Sequence, residues 1–213
     1  MSITSNLNSI LNKIPDDVIL VAVSKTKTNT DILSAYDAGQ KIFGENKVQE
    51  LAKKEKELPP DIQWHMIGHL QTNKVKYIAP FVSLIHAVDS IKLIQEINKR
   101  ANQNNRIIDC LLQVHIATES TKFGFNIEEI EKVISIAKEY TNIKIKGLMG
   151  MATFTNNSKQ INKEFKSINQ IFKKVKTKTL NTLSIGMSGD YKLAINNGST
   201  MIRVGSAIFG NRN

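Results

Sequence analysis

One residue of the 213 is a cysteine, Cys110, and it lies inside the apolar run "IIDCLLQV". A lone cysteine excludes an internal disulfide and suits a reducing cytosol, and its neighbours make it a small buried hydrophobe. Aromatic residues are also scarce, at 6%, and do not interleave with the basic ones, which excludes a stacking surface for single-stranded nucleic acid. No stretch approaches the roughly 18 apolar residues that span a bilayer. The N-terminus, "MSITSNLNSILNKIP", lacks the basic start and apolar core of an export signal. The expectation is a cytoplasmic protein with no membrane partner. Metal-ligand patterns are missing too: His65 and His69 are four apart, but on a strand and the turn after it, with no HExxH. No metal is expected. "SKTK" has the S-x-x-K spacing of serine acyl enzymes, but the S-D-N and K-T-G partners of that chemistry are absent.

Positive charge is plentiful, with 29 Lys+Arg against 19 Asp+Glu and a net charge of +10. The lysines are spread along the whole chain. The densest group, "FKKVKTKTL" from 172, ends a helical pattern, where cations complement the helix dipole. The charge therefore points to an anionic ligand and not to a nucleic-acid partner. A chain of 213 residues holds one sizeable core, so one domain over 1–213 is expected.

Eight strand-like runs recur: "VILVAVS" from 18, "KIFGE" from 41, "IQWHMIG" from 62, "SLIHAV" from 83, "RIIDCLLQVHI" from 106, "IKIKGLMG" from 143, "LSIGMS" from 183 and "TMIRVG" from 200. Apolar runs rich in β-branched residues and bounded by polar ones read as strands buried on both faces, as in a parallel sheet. Between them lie helical stripes. In "NIEEIEKVISIAKEY", Asn126 caps and Ile127, Ile130, Val133, Ile134 and Ala137 share one face; "DSIKLIQEINKRA" starts on Asp89 or Ser90. After a short leading helix, this alternation predicts an α/β fold, a (β/α)₈ TIM barrel, with an open doubly wound sheet as the alternative.

In such barrels the active site lies at the C-terminal ends of the strands. Lys25 follows strand one there. By the period of two it shares the face of Val21 and Val23, which turns it toward the barrel mouth. A partly desolvated lysine has a lowered pKa and can attack an aldehyde. The loops after strands seven and eight commonly bind phosphate, and here they read "GMSG" from 186 and "RVGSAIFG" from 203. Ser188 offers a hydroxyl, and Gly205 and Ser206 offer backbone N–H groups. Arg203 shares the facing of Gly205. A lysine, a phosphate site and an arginine together suggest pyridoxal 5′-phosphate (PLP). His86 and His115 each end a strand, where the mouth or the interior would receive them. Lys122, in the loop after strand five, is a solvated lysine or a second amine near the ligand.

The stretches "AVSKTK", "FGENKVQE", "WHMIGHLQTNK", "KGLMGM", "LSIGMSGD" and "GSTMIRVGSAIFG" resemble the pyridoxal phosphate homeostasis protein family, whose barrel is related to the N-terminal domain of alanine racemase. The resemblance runs from Val18 to Gly210. It implies that Lys25 carries PLP as an internal aldimine, that Ser188, Gly205 and Ser206 hold the phosphate, and that Arg203 faces the pyridine nitrogen. Asn46 and His69 match family positions at the mouth and join the cofactor-binding set. Thr28 stands where the family usually has proline and Lys47 where it usually has tyrosine.

The implied function is intracellular PLP homeostasis by a monomer that holds the cofactor without catalysis, with apo PLP-dependent enzymes as partners. A PLP-dependent racemase or decarboxylase is the first alternative, and an aldolase using Lys25 directly on a sugar phosphate is the second. The related racemase takes its second acid–base group, a tyrosine, from an additional C-terminal domain of the partner subunit. No such domain is expected after the eighth strand here. Of this chain's tyrosines, Tyr36, Tyr77 and Tyr140 belong to helical segments, and Tyr191 alone is expected near the mouth.

Overall fold

The apolar runs pair side by side because each carries aliphatic residues toward both faces and can be satisfied only between two packed layers. A computed structural model describes residues 2–119 and 123–210. Its strands are β1 (Ile19–Val23), β2 (Ile42–Glu45), β3 (Gln63–Met66), β4 (Leu84–Val88), β5 (Ile108–Val114), β6 (Ile143–Gly150), β7 (Thr182–Ser184) and β8 (Met201–Val204). They close in chain order into a barrel, β8 pairing in parallel with β1. All the pairings are parallel, so the C-terminal ends of the strands gather at one rim.

The alternation along each strand separates two cores. On β1, Leu20 and Ala22 join the outer core against the helices, while Val21 joins a small interior cluster with Leu84, Ala87, Leu111, Met149 and Met201. On β8, Ile202 and Val204 face outward, and Met201 and Arg203 take the other parity. Cys110 lies in the outer core, where burial pushes its thiol pKa up.

Helices α1 (Ile3–Leu11), α2 (Asn29–Asp37), α3 (Val48–Glu57), α4 (Ile91–Gln103), α5 (Ile130–Ala137), α6 (Ser158–Val175), α7 (Tyr191–Asn196) and α8 (Ser206–Phe209) form the outer layer. Ser90 caps α4, its hydroxyl accepting from the Leu93 N–H. Asn126 forms its capping box with Glu129, but on a 3₁₀ turn, Ile127–Glu129, that leads into α5. The β3–β4 connection holds a 3₁₀ helix, Thr72–Tyr77, and no α-helix. Pro80 follows closely, and it disfavours helical geometry at the residue before it.

Candidate functional site

Lys25 is half-buried, two residues past β1 on the parity of Val21 and Val23. Both of its chain neighbours are anchored from the helix layer. Ser24 is fully buried, and its hydroxyl donates to Glu45 Oε1 at 2.6 Å. Lys54 Nζ, on α3, donates to the Ser24 carbonyl at 2.9 Å, to Glu45 Oε1 at 2.8 Å and to Glu50 Oε1 at 2.7 Å. Glu50 Oε1 accepts in turn from the Thr26 N–H at 2.6 Å. Thr26 has φ 65, a left-handed conformation that a β-branched residue adopts only when its surroundings impose it. Burial pushes the Glu45 carboxyl pKa up, against the hydrogen bonds from Lys54 and Ser24. Sequence reasoning did not identify Glu45, Glu50 or Lys54. The i,i+4 spacing of Glu50 and Lys54 was the available signal.

The loops after β7 and β8 meet. Gly186 turns the first of them at φ 96, and a Cβ there would sit 2.5 Å from that of Ala194. Ser188 Oγ accepts from the N–H of Gly205 at 3.1 Å and of Ala207 at 3.4 Å, at the open start of α8. Of the expected amides it is Gly205 that meets Ser188; the second N–H there belongs to Ala207, which the sequence did not single out, and Ser206 lies between the two in sequence. A hydroxyl and backbone N–H groups converging at one point supply the donors an oxyanion needs. Asp190, the nearest carboxylate in sequence, is tied to the Met187 N–H at 2.5 Å.

Arg203 is 4% exposed and lies beside Val21 in register. Its Nη1 donates to the Ser184 carbonyl at 2.7 Å and hydroxyl at 2.6 Å, and its Nη2 donates to the Gly150 carbonyl at 3.0 Å. Burial lowers its pKa to about 10, which leaves it charged at neutral pH.

Asn46 directly follows β2, and the turn after β3 packs on it so closely that a Cβ on Gly68 would stand 2.5 Å from the Asn46 carbonyl oxygen. His69 is exposed at this rim, its Nδ1 2.9 Å from Asp89 Oδ2 and its ring stacked on Phe123 at 3.9 Å. His65 instead turns to His86 inside the barrel, so the two histidines of the four-residue spacing serve different partners. His86 is fully buried and His115 half-buried. Tyr191, expected near the mouth, packs in the outer core at the start of α7 with only 9% exposure, where that helix lies close against the Gly186 turn. Thr28, at the family's usual proline position, is a helix cap: its hydroxyl accepts from the Asp31 N–H at 3.1 Å while Asp31 accepts from the Thr28 N–H at 3.2 Å. Lys47 is exposed at the start of α3. Lys122 lies outside the described residues.

A cavity of about 550 Å³ opens on the outer wall between α3 and the 3₁₀ helix, over Val48, Ala52 and Tyr77. It contains none of the residues assembled at the rim.

The family described as "Alanine racemase, N-terminal domain" matches residues 1–213. A pyridoxal phosphate homeostasis protein of Aquifex aeolicus is 38% identical over 91% of this chain and 86% of its own length. One of Haemophilus influenzae is 36% identical over 100% of this chain and 97% of its own length. The solved structure of PipY from Synechococcus elongatus with PLP bound superposes with a TM-score of 0.89 at 32% identity, covering 98% of this chain and 100% of that one. Alanine racemase from Bartonella henselae shares the fold, with a TM-score of 0.77 at 17% identity over 58% of its chain.

Proposed function

The chain belongs to the pyridoxal phosphate homeostasis protein family, and on that premise we propose that it binds PLP and serves the cell's supply of that cofactor without turning over a substrate. The observation that carries this reading is the convergence at one barrel rim of an anchored lysine, an oxyanion donor cluster and a buried, charged arginine. The residues present fit the cofactor. Ser188 and the N–H groups of Gly205, Ser206 and Ala207 would hold the phosphate, with Ser188 Oγ already engaging the first and last of those amides. Lys25 would carry the cofactor covalently. Arg203 would face the ring nitrogen as a donor, and Asn46 and His69 would flank the ligand from the β2 and β3 ends. Bound there, PLP supplies an electrophilic carbonyl and an electron-withdrawing ring.

The partners we assign are PLP and apo forms of PLP-dependent enzymes, for a monomeric protein in the cytoplasm. The exposed Phe123 and Phe154, in the segments that follow β5 and β6, support a docking role at the rim. Visible absorbance of the purified protein before and after borohydride, followed by peptide mapping, tests the cofactor assignment. A phosphopyridoxyl mass on Lys25 is expected. The same mass on Lys27 or Lys122 instead would overturn it.

A further inference from the structure

Below the rim, two buried histidines remain without a task in cofactor binding. His86 Nδ1 lies 3.2 Å from Ser184 Oγ, and His86 Nε2 lies 3.0 Å from His65 Nδ1. Ser184 Oγ is also the atom that Arg203 Nη1 reaches at 2.6 Å. Arg203, Ser184, His86 and His65, from β8, β7, β4 and β3, therefore form one continuous chain inside the barrel.

The protons along this chain can be assigned by balance. A guanidinium has no acceptor, so Ser184 Oγ must accept from Arg203. The single hydroxyl proton of Ser184 is then available to His86 Nδ1. The reverse arrangement, with His86 donating, would leave that hydroxyl proton buried without an acceptor, which is costly. With Nδ1 accepting, neutral His86 carries its proton on Nε2 and donates to His65 Nδ1. Every bond then runs one way, away from Arg203. Neutrality of both rings is consistent with burial, which lowers the His65 pKa to about 3 and the His86 pKa well below its ordinary value, the latter also through the charge of Arg203.

Building on the cofactor reading above, we propose that His86, acting through Ser184, is a positioning residue that holds the guanidinium of Arg203 in place as a hydrogen-bond donor toward the ring nitrogen of bound PLP. Ser184 and the Gly150 carbonyl take three of the five N–H groups of the guanidinium and set its plane. With its proton committed to His86, the Ser184 hydroxyl keeps its lone pairs turned to Arg203. The chain thus fixes where the remaining N–H groups of the arginine point, and a ring nitrogen accepting from them would stay unprotonated.

The test compares PLP with its analogue in which a C–H replaces the ring nitrogen, both measured by equilibrium dialysis against the full chain. Removing the acceptor, in His86→Leu or in the milder Ser184→Ala, is expected to weaken PLP at least fivefold and the analogue less than twofold. His86→Gln, whose amide can accept from Ser184 and donate to His65, is expected to restore PLP binding to within twofold of the unmodified protein. Circular dichroism confirms that each variant is folded, and Ser184→Ala serves if His86→Leu is not. Equal losses for the two ligands, or no loss for either, would overturn the proposal alone. If the unmodified protein binds neither ligand, the cofactor reading falls and takes this proposal with it.

Discussion

Lys25 is set apart from the other lysines by what holds it: the residues on either side are pinned to one carboxylate–ammonium cluster, and the second of them, Thr26, is held at φ 65. Covalent attachment should therefore be specific. Lys25→Ala is expected to abolish the borohydride-trapped adduct, checked by intact mass, while the phosphate site still retains PLP reversibly. The converse dissection removes the phosphate. Charge-assisted hydrogen bonds contribute about 1.5–3 kcal/mol each, and about 1.4 kcal/mol is a factor of ten. Unphosphorylated pyridoxal should thus bind at least tenfold more weakly than PLP in an absorbance titration, and equal affinities would refute the assignment of Ser188 and its amides. The position of Lys25 just past β1 was legible in the sequence because the apolar run ends on Ser24 and fixes where the strand stops. The Ala207 amide was not, because a backbone N–H leaves no mark on residue type.

Helix α3 shows where legibility stops at the level of elements. The eight strands could be read from the sequence because a run apolar on both faces has few other uses. Lys54, in contrast, reads as one more solvated helix lysine among "KKEKE", yet it is 5% exposed and sits between Glu45 and Glu50. Its burial depends on where α3 packs against the end of β2, a tertiary fact without a local signature. Breaking a buried ion pair from one side strands the other charge, at a cost of about 3–5 kcal/mol. Lys54→Met is expected to destabilise by that order in urea unfolding, and Glu45→Gln added to it should recover part of the loss. A double variant no more stable than the single one would show that the pair is not the source. The cap on α2 is a smaller matter of the same kind, and Thr28→Ala should cost about 1 kcal/mol.

The molecule as a whole encloses a polar chain in its barrel, and this has consequences for both stability and chemistry. His65 titrates near its ordinary 6.5 when unfolded but at about 3 when folded. Between those values the unfolded state binds more protons, so stability rises with pH; this contribution is complete above about 6.5 and is lost as the pH falls toward 3. At pH 4.5 the loss amounts to about 3 kcal/mol. Urea midpoints should fall from pH 7.5 to 4.5, and His65→Gln should flatten that fall; an unchanged slope would place the acid sensitivity elsewhere. The same interior bears on whether the protein turns over amino acids. A racemase removes the substrate's α-proton on one face and returns one on the other, which calls for two acid–base groups on opposite sides of the ring. On the proposed reading, Lys25 would serve one face. Tyr191, the tyrosine expected at the mouth, is packed into the outer core instead. An arginine donor at the ring nitrogen, as proposed for Arg203, would leave the ring a weaker electron sink than a carboxylate partner does. Incubation of the PLP-loaded protein with L- and D-amino acids in deuterated water should accordingly give no turnover-level α-deuteration or racemisation, while PLP passes to an added apo-enzyme. Turnover that disappears in Lys25→Ala would show an enzyme and defeat the carrier reading.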